Sequence, residues 1–347
     1  MKITVLMGGT SSERDVSLAT GIRVTEALRS RGHTVTAVDT ARGQLSPEAE
    51  QRLLAGGVKT APPSREDLQA MAAQTLPQMV AVLPALAEAD VVFLGLHGGA
   101  GEDGTIQAIL DLANIPYTGS GHLASALAMD KDMSKHLFRQ HGVQTADWVL
   151  VTRGAAMPDG EELEKRLGMP IIVKPSKEGS TVGLSIVRSA GELTAAIEEA
   201  MRFDDEVIVE EFIAGRELTV GILGGEALPV GEIIPKHEIY DYECKYTAGM
   251  AVEVFPADIT DAQRIDVQEQ ARRAFAALKL RGCARIDFRM SETGEMFCLE
   301  ANTLPGMTGT SLIPQAAQAA GIGFAEFCER IVMLALPAAT ATGTREP

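Results

Sequence analysis

One stretch near the C-terminus concentrates side chains that could bind a metal ion and a phosphate group. Two runs of alternating polar and apolar residues, 284–290 and 295–300, flank the sequence Ser-Glu-Thr-Gly, which predicts a β-hairpin. Residues two apart on a strand share a face, so a connection of two or four residues would place Asp287, Glu300 and Asn302 on one side. Oxygen ligands of this kind suit Mg²⁺, which takes one or two carboxylates together with nucleotide phosphates. The alternative interpretation is a hairpin with a solvated acidic face.

The register of this hairpin decides how close the two carboxylates come. An even connection pairs Arg285 with Glu300 and Asp287 with Cys298, and it makes Asp287 and Glu300 diagonal neighbours about 7–8 Å apart. An odd number of connecting residues would break that register.

An anion site is predicted a few residues further on. The loop 302–311 is rich in glycine and small polar residues, and a short helix follows, with Pro314 near its start and Gly321 just past its end. Thr310 and Ser311 are candidate N-caps. The free N–H groups and positive dipole end of such a helix can hold a carboxylate or a phosphate.

Length and composition limit the class of protein. A chain of 347 residues predicts two or three lobes, and a formal net charge of −16 disfavours nucleic acid or an anionic membrane as a partner. The four cysteines form no CxxC pattern, and no apolar run is long enough for a signal peptide or a membrane span. We therefore expect a cytoplasmic protein with free thiols.

The N-terminus predicts a βαβ unit. Residues 2–7 form a buried strand, residues 16–29 a helix and residues 34–38 a parallel strand, which puts Glu13 at the crevice where such folds bind ligands. Asp39 ends the second strand, as in dinucleotide-binding folds. However, the sequence GGTSSERD is not GxGxxG, so a dehydrogenase is disfavoured.

The next segments predict both scaffold and site. Residues 41–89 are predicted to be a peripheral insertion. The strand 89–96 leads to His97, which precedes several glycines and is expected to be a site residue rather than a core residue. A helix is predicted over 123–140 with Lys131 within it.

A lysine at the end of a buried strand is a further candidate. Lys174 ends the apolar run 170–175, where a lysine usually meets an anion, and the small-residue loop 176–183 can approach phosphates. The strand 207–213 could present backbone groups to a flat heterocycle, with Phe212 and Ile213 as apolar cover; the alternative is an ordinary edge strand. The polar, aromatic stretch 241–249 predicts a loop that covers a site.

Taken together, these motifs resemble those of the D-alanine–D-alanine ligases, which are ATP-grasp enzymes of peptidoglycan precursor synthesis. The resemblance runs from residue 1 to about 336 and is loosest over 41–89. The matching segments are residues 8–17, 97–104, 117–120, 129–131, 173–180, 240–246 and 299–308.

The resemblance implies the fold and its division. The implied fold is α/β: a Rossmann-like parallel N-terminal lobe followed by two α+β lobes that clasp ATP. The implied boundaries are 1–122, 123–190 and 191–336, with a covering loop at 236–252 and a disordered tail at 337–347. It also implies a homodimer.

The resemblance further implies roles for individual residues. Two Mg²⁺ or Mn²⁺ ions would be held by Asp287, Glu300 and Asn302. ATP is the implied co-substrate, with Lys131 and Lys174 on its phosphates, Glu210, Glu211, Phe212 and Ile213 at the adenine, Glu217 at the ribose, and Glu178, Ser180 and Lys245 also in contact.

The substrate side is implied in the same way. Glu13 would pair with the ammonium group of the first D-alanine, near His97, and would join Ser180 and Tyr246 in a hydrogen-bonded trio. Arg285 and the Gly306 N–H would stabilise the oxyanion, and Ser311 with the Leu312 N–H would hold the carboxylate of the second D-alanine.

Two alternatives and two departures accompany this interpretation. Relatives that form D-alanyl-D-lactate carry a different covering loop, whereas residues 240–246 have the dipeptide-forming pattern, including Tyr246. A regulatory nucleotide-binding protein that lost catalysis is disfavoured because the proposed chemical residues are all present. The departures are Cys244, where small residues are common, and the length of 41–89.

Overall fold

The computed structural model describes residues 1–56, 65–240, 244–245, 247 and 249–336. The predicted tail, 337–347, lies outside these residues. Within them, none of the helices combines the length and apolar character needed to cross a membrane. The four cysteines are free and buried.

The first lobe is built on a four-stranded sheet. Its elements are β1 (Lys2–Met7), α1 (Arg14–Ser30), β2 (Thr34–Asp39), β3 (Gly43–Gln44), α2 (Pro47–Gly56), α3 (Arg65–Ala87), β4 (Val91–Leu94) and α4 (Thr105–Leu112). The strand order is β3-β2-β1-β4, with β1, β2 and β4 parallel and β3 antiparallel to β2. The predicted βαβ unit is therefore present, and β1 is buried because its apolar run is covered on both faces.

Helix α3 belongs to the core, so the prediction of a peripheral insertion at 41–89 is wrong for this helix. Met79 and Leu86 are fully buried and pack with Leu6, Val38 and Leu94. The physical reason is topological: β2 and β4 lie on either side of β1, and parallel strands need a crossover that packs back onto the sheet.

The single helix predicted over 123–140 is two helices, α5 (His122–Met129) and α6 (Lys131–Gln140). Asp130 at the junction has extended backbone, and its carboxylate accepts a hydrogen bond from the Met133 N–H at 3.1 Å. Aspartate is a favoured N-cap because it satisfies a free N–H of the first turn. This cap places Lys131 at the start of α6.

The second lobe has an antiparallel sheet in the order β5-β8-β6-β7. Its elements are β5 (Trp148–Thr152), α7 (Gly160–Leu167), β6 (Ile171–Pro175), β7 (Ser185–Val187), α8 (Leu193–Ala200) and β8 (Glu206–Glu211). Leu193 and Val207 share a core with Val173, so the predicted boundary at 190/191 is wrong and this lobe extends to Glu211. Because β8 lies between β5 and β6, the edge-strand alternative is also wrong.

The third lobe has a sheet in the order β12-β11-β9-β13-β14, with β10 paired to β9. Its elements are β9 (Gly215–Leu223), β10 (Glu226–Ala227), β11 (Gly231–Pro235), β12 (Ala251–Val254), α9 (Asp261–Ala277), β13 (Cys283–Ser291) and β14 (Met296–Asn302). Val267 and Ala271 of α9 pack against one face of the sheet with Phe288, and Phe138 of α6 joins the same core. The opposite face is left for the site.

The C-terminal helices return to the first lobe. They are α10 (Leu312–Ala319) and α11 (Phe324–Ala335). Ile313, Phe327 and Ile331 share a core with Ile3 and Val5 of β1. Leu228 and Cys283 of the third lobe belong to the same core, so this C-terminal segment packs against both the first and the third lobe.

Candidate active site

The β13–β14 hairpin forms as predicted, but in a different register. Met290 pairs with Met296, so an odd number of residues, 291–295, connects the strands. Phe288 pairs with Cys298, and the register then shifts so that Asp287 lies directly opposite Glu300. The pairs expected for an even connection therefore do not form, as expected when an odd number of residues connects the strands.

The register shift is what brings the carboxylates together. Leu299 is the extra residue of this bulge. In a regular ladder without the bulge, Asp287 would pair with Leu299, and Glu300 would point to the other side of the sheet. Arg285 pairs with Asn302, so the predicted common face for Asp287, Glu300 and Asn302 is present, with Asp287 and Glu300 closer than diagonal neighbours.

Asp287 is enclosed by donors from three strands. It accepts hydrogen bonds from Thr219 Oγ1 at 2.7 Å, from Arg285 Nη2 at 2.8 Å and from Asn302 Nδ2 at 3.0 Å. Burial acts to lower the pKa of Arg285, but Asp287 raises it above its usual range, so the guanidinium stays protonated. The Asn302 nitrogen donates to Asp287, which leaves the amide oxygen available to a further partner.

Glu300 is an ionised carboxylate among cations. Its Oε2 lies 3.5 Å from Lys131 Nζ. Burial acts to raise the pKa of Glu300, but the charges of Lys131, Lys245 and Lys174 lower it to about 2. Lys131 also donates to the Glu178 carbonyl at 2.7 Å, so its head group is fixed at this point.

Two compartments meet at Glu300. The first lies between the first lobe and the end of the hairpin, and the second lies between the sheets of the second and third lobes. The residues that line both are Lys131, Glu178, Ser180, Tyr240, Lys245, Arg285 and Glu300.

In the first compartment a carboxylate and a hydroxyl connect the first two lobes. Ser180 Oγ donates to Glu13 Oε1 at 2.6 Å. Ser180 has a φ of 49°, in the left-handed region, so the loop conformation directs the hydroxyl toward Glu13 at a strained position.

His97 connects the first lobe to the loop that follows β14. Its Nε2 lies 2.9 Å from Thr20 Oγ1, and Thr20 accepts a hydrogen bond from the Met307 N–H at 3.1 Å. Burial lowers the pKa of His97, which favours the neutral ring. His97 lines the first compartment as expected, but it is held there by contacts on its core side.

The loop after β14 and the start of α10 form the far wall of the first compartment. The Thr308 N–H donates to Ser311 Oγ at 2.9 Å, and Ser311 occupies the N-cap position of α10. A Cβ at Gly306 would lie 2.8 Å from Ser311 Oγ, so a larger residue there would displace the Ser311 hydroxyl. The predicted anion site is therefore lined by Gly306, Ser311 and Leu312.

In the second compartment a single carboxylate is held by two lysines. Glu210 Oε1 accepts from Lys174 Nζ, and Glu210 Oε2 accepts from Lys135 Nζ at 2.8 Å. Burial acts to raise the pKa of Glu210, but the two lysines lower it to about 2. Phe212 and Ile213 follow on the same wall and supply apolar surface beside this charge.

Glu217 lies opposite that wall. Its carboxylate is 3.5 Å from Arg289 Nη1. Burial raises the pKa of Glu217 to about 7, since the opposing effect of Arg289 is smaller and Asp287 adds to the rise. This carboxyl can therefore both donate and accept hydrogen bonds near neutral pH.

Each predicted site residue that the structure describes lines one of the two compartments. Tyr246 lies outside the described residues. The residues of the first compartment are Glu13, His97, Asn302, Gly306, Ser311 and Leu312, those of the second are Lys174, Glu210, Glu211, Phe212, Ile213, Glu217 and Asp287, and the others are shared.

Sequence reasoning missed Glu102 and Arg289 as site residues. Glu102 accepts a hydrogen bond from the Gly98 N–H at 2.7 Å, and burial, followed by the charge of Glu13, raises its pKa to about 8. Its position after a strand in a glycine-rich stretch was a usable signal. Arg289 lies two residues after Asp287 on β13, so the strand period placed it on the same face.

The acid at the end of β2 does not bind a ribose. Asp39 is buried and accepts hydrogen bonds from both terminal nitrogens of Arg14, one of them at 3.0 Å. A Cβ at Gly8 would lie 2.5 Å from Asp39 Oδ1, so the adjacent turn is filled by this ion pair. The dinucleotide alternative therefore loses its acidic residue.

The donor set of the hairpin fits a hard divalent cation. Asp287 and Glu300 supply carboxylate oxygens from directly opposite positions, and Asn302 supplies an amide oxygen on the same face. Mg²⁺ and Mn²⁺ favour such oxygen ligands and leave coordination positions for phosphate and water. Within the described residues, no group of three or more acidic, histidine or cysteine side chains is placed to hold a metal ion.

Comparison with known proteins identifies the family that shares this arrangement. Residues 2–120 match the family model for the D-ala D-ala ligase N-terminus, and residues 137–333 match that for the D-ala D-ala ligase C-terminus. The chain is 43% identical over 335 residues to the D-alanine–D-alanine ligase of Syntrophotalea carbinolica, covering 95% of each chain. It is 43% identical over 334 residues to that of Citrifermentans bemidjiense, covering 96% of each.

Solved structures agree. The D-alanine–D-alanine ligase of Bacillus anthracis, solved in complex with ATP, superposes with a TM-score of 0.76 at 31% identity over 96% of both chains. The enzyme of Coxiella burnetii gives a TM-score of 0.77 at 26% identity over 96% of this chain and 95% of that one. The predicted fold class, an α/β ATP-grasp protein with a Rossmann-like first lobe, is confirmed.

Proposed function

The chain belongs to the D-alanine–D-alanine ligase family, and on that premise we propose that it joins two D-alanine molecules at the expense of ATP. The products are D-alanyl-D-alanine, ADP and phosphate, and the dipeptide serves peptidoglycan precursor synthesis. The observation that carries the proposal is the position of Glu300, at the point where the two compartments meet. At that point the γ-phosphoryl group of ATP in the second compartment would meet the carboxylate of a D-alanine in the first compartment.

ATP occupies the second compartment in this proposal. The adenine lies against Phe212 and Ile213, with Glu210 and Glu211 at its edge, and Glu217 faces the ribose. The phosphates extend toward Lys174, Lys131 and Lys245, with Glu178 and Ser180 beside them. Phosphoryl transfer depends mainly on positioning and charge neutralisation, and these lysines supply both.

Asp287, Glu300 and Asn302 would hold two Mg²⁺ or Mn²⁺ ions. When bound, such ions neutralise phosphate oxygens and orient the nucleotide. The protein prepares for this by keeping Glu300 ionised and by holding Asp287 in place through Thr219 and Arg285.

The two D-alanine molecules occupy the first compartment. Glu13 pairs with the ammonium group of the first, beside His97. The carboxylate of this D-alanine attacks the γ-phosphorus of ATP, the bond to the β-phosphate oxygen breaks, and ADP leaves as the acyl phosphate forms. Ser311 and the Leu312 N–H hold the carboxylate of the second, whose amine then attacks the activated carbonyl. Phosphate leaves as the amide bond forms.

The charge that develops on the carbonyl oxygen in that second step requires donors. Arg285 stays protonated and lines both compartments, and Gly306 lines the first compartment with it, so its N–H is the proposed second donor. Donors fixed in advance stabilise an oxyanion without reorganisation.

Closure over the site would protect the acyl phosphate from water. Glu13 and Ser180 form one part of the proposed hydrogen-bonded trio, and Tyr246 of the covering loop 236–252 is its third member. Excluding water matters because an acyl phosphate hydrolyses readily. The pattern at 240–246 favours the dipeptide over D-alanyl-D-lactate.

Two further proposals concern the state of the protein. We propose a homodimer, which the family resemblance supports and light scattering of the purified protein would test. We also place the reaction in the cytoplasm, since the buried free thiols suit a reducing compartment and ATP is the co-substrate.

The experiment that tests the function measures ADP release with Mg²⁺ and ATP. It compares D-alanine, L-alanine and a mixture of D-alanine and D-lactate. Release that requires D-alanine and yields the dipeptide supports the proposal. Depsipeptide at neutral pH would assign the lactate branch, and ATP binding without D-alanine-dependent release would favour the regulatory alternative.

A further inference from the structure

Lys135 is a buried lysine outside both compartments. It holds the carboxylate of Glu210, which lies where the proposed ATP site receives the nucleotide base. Lys135 lies on α6, one turn after Lys131, and only 1% of its surface is exposed. Its Nζ donates to Glu210 Oε2 at 2.8 Å and to Thr145 Oγ1 at 2.9 Å. Lys135 therefore approaches Glu210 from behind the wall of the second compartment.

The ammonium group of Lys135 is fixed from several directions. It lies 5.0 Å from the centre of the Trp148 ring, and Thr145, which accepts its hydrogen bond, donates in turn to the Cys298 carbonyl at 2.8 Å. These contacts join α6 to the sheets of both ATP-binding lobes.

Burying the Lys135 charge does not by itself stabilise the fold. Taking a lysine out of water costs several kcal/mol by order of magnitude, and apolar side chains of similar volume often replace buried ion pairs without loss. Burial lowers the pKa of Lys135, although the Glu210 carboxylate opposes that shift. A positional role for the carboxylate explains why a cation, and not an apolar chain, occupies this place.

We propose that Lys135 is a positioning residue for recognition of the nucleotide base. By holding one oxygen of Glu210, it keeps the carboxylate ionised and in one orientation, as a hydrogen-bond acceptor beside Lys174. Such an acceptor matches a purine with a 6-amino group and mismatches one with a 6-oxo group. This inference rests on the proposed ATP site.

The substitution Lys135→Met tests the role with little risk to the fold. Met has a similar length, and its introduction leaves Glu210 paired with Lys174, so no buried charge is left without a partner. The matched control is Lys165→Met, which removes an exposed lysine of α7 that lines neither compartment.

The measurements are KM for ATP, kcat, KM for D-alanine, and the ratio of kcat/KM for ATP to that for inosine triphosphate. For Lys135→Met we expect KM for ATP to rise about tenfold and the preference for ATP to fall about fivefold or more, the size expected when a charge-assisted contact is lost. KM for D-alanine and kcat at saturating ATP should stay within about twofold, because the hairpin is untouched.

Unchanged KM for ATP and unchanged purine preference in Lys135→Met would overturn the inference. A lower Tm and a lower kcat together with a similar rise in both KM values would also overturn it, because that pattern indicates a structural role only. Calorimetric titration of the wild-type protein with ATP separates this failure from failure of the proposed function. If the wild type binds and turns over ATP while Lys135→Met behaves identically, only the role of Lys135 is lost.

Discussion

Replacing Glu300 with glutamine should abolish turnover while preserving ATP binding. The shift of the Glu300 pKa from an ordinary value of 4.5 to about 2 corresponds to roughly 3 kcal/mol of favourable interaction with the surrounding cations. Because 27% of the side chain reaches solvent, screening makes this an upper bound. The glutamine should therefore lower the free energy of unfolding by no more than that amount.

The effect on catalysis should be larger, because the change removes a charged ligand from the proposed cation site. Losing one preorganised electrostatic group of this kind costs about 10²–10³ in kcat, and loss of a shared ligand should reach the upper end. ATP binding without divalent cation should be retained or tighter, since one negative charge next to Lys131 is gone.

The assay compares kcat by ADP release with the Kd for ATP by calorimetry, each with and without Mg²⁺. Glu292→Gln, in the turn of the same hairpin and exposed, is the matched control and should match the wild type. A kcat for Glu300→Gln within tenfold of the wild type would refute the assignment of the cation site. Loss of ATP binding in the absence of Mg²⁺ would refute the electrostatic argument.

Three further outcomes follow from buried groups elsewhere. Arg14→Met leaves Asp39 buried without its cation and should lower the free energy of unfolding by about 3–5 kcal/mol in urea titrations; a loss below about 1 kcal/mol would contradict this reasoning. Leu86→Ala should cost about 2–5 kcal/mol, whereas Val80→Ala, at 58% exposure on the same helix, should change thermal unfolding by no more than about 0.5 kcal/mol. The folded-state pKa of Glu210 lies below its unfolded value, so its stabilisation of roughly 3 kcal/mol is present above pH 4.5 and is lost as pH falls toward 2; unfolding measured across that range should show a steeper acid loss in the wild type than in Glu210→Gln.

The local features of this protein can be predicted from its amino-acid sequence alone. Apolar runs, alternation and capping residues located β1, the hairpin and the helix that begins after Ser311, because these patterns depend on neighbours in the chain. The same local reasoning identified Asp287, Glu300 and Lys174, since carboxylates and a lysine at strand ends have few uses other than binding charge.

How these local features come together depends on contacts between distant parts of the chain. One unpaired residue, Leu299, sets whether Glu300 faces Asp287, and alternation along a strand cannot reveal such a bulge. The assignment of β8 to the second lobe and the contact of Lys135 with Glu210 depend on strand pairing between distant segments. Pairing and burial are properties of the whole chain, so their consequences for charge and register appear only once the lobes are packed.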